Sequence, residues 1–254
     1  MNLLELKNLN KSFGGIKAAD SISFHVKEGE VLGIIGPNGA GKTTVFNLIT
    51  GFYRPDSGSI LFDGRDITKV KPFMLPHMGI ARTFQNLRLF SKLTVFENVL
   101  SAALSTKQYN PFSAFFRTKK YFDIEGDAKR YTQELIDLFK LSGKEDYVSG
   151  SLPYGEQRKL ELARALILKP RLLLIDEPGA GMNPKEIQEL VTTIKEVREH
   201  FSLTIIIIEH QMGLIMNISD RMVVLDFGEK IMEGTPSEVK NDKKVIEAYL
   251  GEEL

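Results

Sequence analysis

The chain has 254 residues, 43% hydrophobic and 26% charged, a composition that buries about three quarters of the extended surface in one large or two small globular domains and excludes a disordered or fibrous chain. Its 33 basic and 33 acidic residues cancel, where a nucleic-acid binder would show a basic excess and a polybasic membrane anchor a local one, so a membrane role is expected to run through protein partners. With no cysteine there is no disulfide framework, thiolate metal site or cysteine nucleophile, as suits a reducing cytoplasm.

The opening Met1-Asn2-Leu3-Leu4-Glu5-Leu6-Lys7 lacks a basic segment followed by an apolar core and does not read as a signal peptide. In chain order, the first 30 or so residues and residues 57–66 read as short strands with turns, for instance Ser59-Ile60-Leu61-Phe62 before Asp63-Gly64, and predict an antiparallel β part. Residues 31–35 form a short apolar run that predicts a buried strand, followed by the glycine-rich 36–41 and a helix over 42–50. Residues 91–168 read mostly helical, with candidates at 95–104, 127–139 and 157–168, an inserted helical subdomain. Aliphatic runs at 172–175, 205–208 and 222–225 predict further buried strands, all far short of the ~20 residues of a membrane-spanning helix. Between the first two lies a helix over 184–199 with Ile187, Leu190, Val191, Ile194 and Val197 on one stripe, Pro184 at its first position and Asn183 as its cap. No internal repeat or low-complexity linker interrupts the chain. Strand, turn, helix, strand is the order of a largely parallel α/β sheet, whose ligands bind beyond the carboxyl ends of the strands.

Gly36-Pro37-Asn38-Gly39-Ala40-Gly41-Lys42-Thr43 fits the phosphate-loop pattern G-x-x-x-x-G-K-[ST], in which small residues let backbone N–H groups wrap phosphates. Lys42 is placed to reach the β- and γ-phosphates and Thr43, followed by Thr44, to ligate Mg²⁺. A second Mg²⁺ ligand is expected at a neighbouring strand end, where Leu172-Leu173-Leu174-Ile175-Asp176-Glu177 closes on two carboxylates. Asp176 is the candidate metal ligand, and Glu177 the candidate to polarise an attacking water.

Beyond these residues the sequence resembles an ATP-binding-cassette (ABC) ATPase over nearly its whole length. Leu152-Pro153-Tyr154-Gly155-Glu156-Gln157-Arg158 resembles the family's signature segment, a helix start whose N–H groups meet the γ-phosphate of ATP held by an opposite subunit. Pro153 and Tyr154 depart from the commonest L-S-G-G-Q form, and proline offers neither a hydroxyl nor an N–H. Gly155 and the amides after it are then the donors expected. Gln85, in Arg82-Thr83-Phe84-Gln85-Asn86, matches the Q-loop glutamine that senses Mg²⁺, and His210, in Ile208-Glu209-His210, matches the switch histidine on the γ-phosphate. Phe13 stands where the family places an aromatic under adenine, although an aromatic in an early strand also suits a core. Gly181-Met182-Asn183 occupies the D-loop, where Asn183 replaces the usual aspartate.

The resemblance implies the ABC ATPase fold within the α/β class: a P-loop NTPase with a RecA-like, mainly parallel core, an antiparallel β subdomain and an inserted helical subdomain. It makes residues 4–253 one ATP-binding domain, with the core at about 1–90 and 169–254 and the helical signature part at about 91–168. It further implies ATP and Mg²⁺ as cofactors, with ATP on Phe13, Gly36, Pro37, Asn38, Gly39, Ala40, Gly41, Lys42, Thr43 and Thr44, and in trans on Tyr154, Gly155 and Glu156. Thr43, Gln85 and Asp176 are the implied Mg²⁺ ligands, and Lys42, Glu177 and His210 the catalytic residues. Two chains pair head to tail in that scheme, as a homo- or heterodimer, with each ATP between one phosphate loop and the other chain's signature helix.

The Leu-Pro-Tyr-Gly-Glu-Gln form, Ala180-Gly181-Met182-Asn183-Pro184 and the ending Ile246-Glu247-Ala248-Tyr249-Leu250-Gly251 are similar to the branched-chain amino-acid importer group. Related cassettes serve urea import and lipopolysaccharide export, and soluble non-transport members form a further alternative. The expected partners are two transmembrane permeases and, indirectly, a periplasmic or extracellular substrate-binding protein, with no nucleic acid, at the cytoplasmic face of the cell membrane. Residues 109–122 gather Tyr109, Phe112, Phe115, Phe116, Tyr121 and Phe122 beside Arg117, Lys119 and Lys120, either a surface for permease or bilayer or a hairpin packed on its own subdomain.

Overall fold

The computed structural model describes residues 1–105 and 119–250. In chain order its elements are β1 (Asn2–Phe13), β2 (Ile16–Lys27), β3 (Val31–Ile35), α1 (Lys42–Ile49), β4 (Ser57–Phe62), β5 (Arg65–Asp66), β6 (Ile80–Arg82), α2 (Val95–Ser105), α3 (Lys119–Leu138), α4 (Tyr154–Leu166), β7 (Leu172–Asp176), α5 (Pro184–Phe201), β8 (Thr204–Ile208), α6 (Met212–Ile218), β9 (Arg221–Asp226), β10 (Glu229–Gly234), α7 (Pro236–Asn241) and α8 (Lys243–Leu250). They fall into two compact units, Met1–Leu75 with Arg171–Leu254, and Pro76–Pro170.

The first unit holds an antiparallel sheet of order β2-β1-β4-β5 and a second sheet running β10-β9-β3-β8-β7. β1 and β2 are 12 residues each, longer than the short strands expected. Their register slips at several points, between Leu6 and Leu9 among them, and each slip breaks the period-2 alternation by which one long strand is recognised. In the second sheet β3 pairs in parallel with β8 and β9, and β8 with β7. All five residues of β3 and of β8 are buried, the condition under which a strand becomes a continuous aliphatic run. Parallel strands require crossovers: α5 makes the one from β7 to β8, and α6 the one that carries the chain from β8 past β3 to β9. α5 starts where expected: Asn183 Oδ1 accepts from the amides of Lys185 and Glu186 (3.0 Å each), Glu186 returns a bond to the Asn183 amide (2.9 Å), and Pro184 fills the first position. The carboxyl ends of β3, β7 and β8 therefore open on residues 36–41, Glu177 and Glu209-His210.

The second unit is built on α2, α3 and α4, which bury Val95, Val99, Leu135, Ile136, Leu160 and Ala163. α3 starts eight residues before the expected Asp127, because it runs through Gly126, a residue whose helical cost reads in a sequence as a boundary. α4 includes Tyr154, Gly155 and Glu156 in its first turn, with Pro153 at the cap position. Asn98, fully buried, bonds Phe90, Leu93, Thr94 and Ser149 and fixes the turns on either side of α2. The aromatic stretch at 109–122 lies outside the described residues except for its last positions, of which Phe122 is exposed.

Candidate functional site

The phosphate loop is held in shape by steric limits at its two ends. A Cβ on Gly36 would stand 2.0 Å from the Leu225 carbonyl oxygen, and one on Gly41 2.3 Å from that of Ala18, with φ of 149° and 99°. Only glycine fits such a backbone. Gly228, in the β9–β10 turn, donates to the Ala40 carbonyl (3.1 Å), and the Gly36 amide donates to the Tyr249 hydroxyl of α8 (2.9 Å). α1 begins directly after the loop with no capping side chain and no acidic residue in its first turn. Its N-terminal amides and dipole are thus directed at the loop with nothing anionic from the chain's own first turn to offset them. Lys42 is buried and Nζ donates to the carbonyls of Gly36 and Pro37 (2.6 and 2.7 Å), folded back on the loop it serves. Thr43 is exposed. A cradle that a Cβ would fill, an uncapped helix start and a buried cation form a polyanion site.

At the end of β7, Asp176 is buried and Glu177 turns the chain with φ 44°, a left-handed conformation costly for a residue with a Cβ. The Glu177 amide donates to the Ile208 carbonyl (2.9 Å), tying the ends of β7 and β8 together. Across that join His210 Nδ1 stands 3.7 Å from Glu177 Oε2, with the imidazole half exposed. One buried carboxylate, one hydroxyl at a helix start and nucleotide phosphates are an oxygen set of the kind Mg²⁺ takes, so the residues fit that ion. Among the described residues there is no cluster of three or more His, Asp or Glu that would hold a metal without the phosphates.

Phe13 ends β1 and is 42% exposed, which removes the core alternative. It meets Tyr53 edge-on at 5.1 Å between centroids, and Lys11 Nζ lies 5.3 Å from the ring. An open aromatic face beside a second ring suits a stacked base.

The remaining candidates belong to the second unit. Gln85 is exposed, and its main chain is gripped by Arg158 of α4: the guanidinium donates to the carbonyls of Phe84 (2.7 Å) and Gln85 and pairs with Glu161 (2.7 Å). In the first turn of α4 the amides of Glu156 and Gln157 donate to the Pro153 carbonyl (3.0 Å each). Those of Tyr154 and Gly155 come earlier and, by helix geometry, have no carbonyl a turn behind them. The Glu156 carboxylate pairs with Lys144 (2.5 and 2.6 Å).

A family model described as ABC transporter matches residues 19–180, and one described as branched-chain amino acid ATP-binding cassette transporter matches residues 229–254. The chain belongs to the ABC transporter family. It is 41% identical to the high-affinity branched-chain amino acid transport ATP-binding protein BraF of Pseudomonas aeruginosa over 98% of both chains. It is 40% identical to the corresponding LivG of Escherichia coli, again over 98% of both. A crystal structure of the ADP conformation of an ATP-binding cassette of an ABC transporter superposes with a TM-score of 0.86 at 35% identity, covering 99% of each chain. A dimeric cassette in a post-hydrolysis state, at 23% identity and a TM-score of 0.76, shares the fold. The cassette is an ATP-binding ATPase with the ABC ATPase fold. Among the described residues no helix is long and apolar enough to cross a membrane.

No motif assigns a role to the residues that hold the others in place. Glu209 was visible only as the neighbour of His210, and Arg158 and Glu161 only as part of a helical stretch. Their signal was a charged residue at a position the pattern makes internal, Glu209 at the end of an all-isoleucine strand above all.

Proposed function

We propose that this cassette is the ATP-hydrolysing subunit of an importer for branched-chain amino acids, with residues 4–253 as one ATP-binding domain. It works as a head-to-tail pair of cassettes on two permeases at the cytoplasmic face of the membrane. The observation that carries the chemistry is the convergence of the glycine-bounded loop, Asp176, Glu177 and His210 beyond the carboxyl ends of β3, β7 and β8. Support for the cargo comes from the match over residues 229–254 and from the named function of BraF and LivG.

In this reading Phe13 stacks on the base and the amides of residues 36–44 bind the phosphates. Lys42 exchanges the carbonyls of Gly36 and Pro37 for phosphate oxygens. Thr43, Asp176 and Gln85 hold Mg²⁺, which when bound neutralises charge on the phosphates. Glu177 orients the attacking water and draws its proton, while His210 fixes the γ-phosphate from the neighbouring strand end. The signature residues Tyr154, Gly155 and Glu156 of the second cassette close the site, so one cassette alone is an incomplete catalyst.

The Glu177→Gln variant tests this. It is expected to lose turnover, keep ATP binding and elute as a dimer with ATP on size exclusion. Recovered by affinity from its own membranes, it is expected to bring down two hydrophobic permeases, a second cassette and an amino-acid-binding protein. Undiminished hydrolysis, or a monomer with ATP, overturns the catalytic scheme. Co-elution of urea-import or lipopolysaccharide-export components, or of ribosomes alone, overturns the cargo.

A further inference from the structure

The Glu209 side chain is fully buried at the end of β8, between the turn that carries Glu177 and the turn that carries His210. Both oxygens accept from backbone. Oε1 takes the amides of His210 (2.9 Å) and Gln211 (3.0 Å), and Oε2 takes the amide of Gly179 (3.0 Å). The connection is doubled, because Gln211 Nε2 donates to the carbonyl of the same Gly179 (2.9 Å). Gly179 in turn belongs to the tight turn after β7, in which Ala180 bonds back to Glu177 (3.3 Å) and Met182 to Gly179 (3.1 Å). There is no slack at the junction: a Cβ on Gly179 would lie 3.0 Å from Glu209 Oε2 and 2.9 Å from Leu214 Cδ1.

Burying an acid with both oxygens turned to N–H donors is costly unless every donor is in place, so the arrangement has one geometry. Glu177 needs such support. Its left-handed φ of 44° persists only where the surroundings over-determine it, and Gly179 is two residues away. We propose that Glu209 is a positioning residue for ATP hydrolysis: by clamping Gly179 on one oxygen and His210 and Gln211 on the other, its carboxylate sets the spacing of Glu177 and His210 across the γ-phosphate site. This rests on the reading of Glu177 and His210 as the hydrolytic pair.

The isosteric Glu209→Gln keeps one acceptor oxygen and replaces the other with an NH₂, which meets a backbone N–H donor whichever way the amide turns. In the full chain it is expected to lower kcat tenfold or more, with KM for ATP within twofold of the parent and a thermal midpoint within a few degrees. Gln211→Met, at a half-buried position, removes the second tether and is expected to lower kcat less, again at constant KM. The double variant is expected to lose less than the product of the two single losses, because both act on Gly179. An unchanged kcat in Glu209→Gln overturns the proposal, and so does a fall of kcat, ATP affinity and thermal midpoint together, which marks a purely structural role. Should Glu209→Gln not fold, Gln211→Met decides, a selective loss of kcat supporting the clamp and an unchanged kcat refuting it. Glu177→Gln, run alongside, separates the two readings: if it hydrolyses ATP normally the catalytic pair itself is wrong, whereas if it is inactive while the Glu209 and Gln211 variants are normal only the clamp is.

Discussion

Gly39 and Gly41 carry the same letter and a positive φ of 79° and 99°, yet they meet different surroundings. A Cβ on Gly39 meets nothing within 4 Å, so Gly39→Ala adds only the left-handed penalty, about 1–2 kcal/mol. At Gly41 the same penalty is joined by overlap with the Ala18 carbonyl at 2.3 Å, and Gly41→Ala is expected to cost about 3 kcal/mol or more. Urea midpoints of the two variants measure the difference, and equal losses would mean that the loop yields freely to β2. The motif was legible because spacing alone identifies it, and the lysine and threonine follow from the same pattern. Which glycine is held by its neighbours was not legible, since Ala18 and Leu225 reach the loop only through folding. Glu209 was hidden for a related reason. Its three bonds are to amides, which no side-chain pattern can announce.

At the scale of the element, α4 does more than present its N-terminus. Arg158 and Glu161 point inward from its second turn and hold the segment with Gln85, and the Glu161 carboxyl reaches toward the amides of Arg88 (3.4 Å) and Phe84 (3.5 Å). The signature helix and the glutamine segment are therefore one mechanical piece within the second unit. Burial pushes the Glu161 carboxyl above the usual range and outweighs the pull of Arg158. Arg158→Met leaves that acid buried without its cation and is expected to cost about 3–5 kcal/mol near neutral pH. Because a raised acid is tolerated when protonated, the loss should be larger at pH 8 than at pH 5, and Arg158→Met with Glu161→Leu should recover part of it. Thermal unfolding across that pH range checks both statements. A loss independent of pH would place the damage in packing and not in the unpaired charge. The helix was legible by its period, but not that Arg158 and Glu161, three residues apart within it, turn inward and pair with the glutamine segment.

The first unit as a whole depends on how its two sheets are joined. Strand and helix alternation made the parallel core legible, but not the order β10-β9-β3-β8-β7 nor the seam with the antiparallel sheet, because both are set by contacts between residues far apart in the chain. That seam is ionic. Arg221, opening β9, donates to Glu30 (2.7 and 3.0 Å) and to the His25 carbonyl (2.6 Å) and pairs with Glu233 of β10, while Glu30 also accepts from the Lys27 amide (2.7 Å). Burial pushes the Glu30 carboxyl up, but the Arg221 guanidinium and the Lys27 amide together hold it below the usual glutamate range. A carboxyl lowered by folding contributes stability above its unfolded value of about 4.3 and loses that contribution as pH falls through the folded value. Glu30→Gln is thus expected to cost about 3 kcal/mol at pH 7, where it breaks a largely buried pair. The gap to the parent should narrow as pH falls below about 4.3 and close only as pH passes through the lowered folded value, because only then does the folded parent carry a protonated acid at the same place. Urea unfolding of both proteins between pH 7 and pH 3.5 reads the gap directly. A gap constant with pH would mean that the loss comes from packing or neutral hydrogen bonding at this position and not from the charge of Glu30.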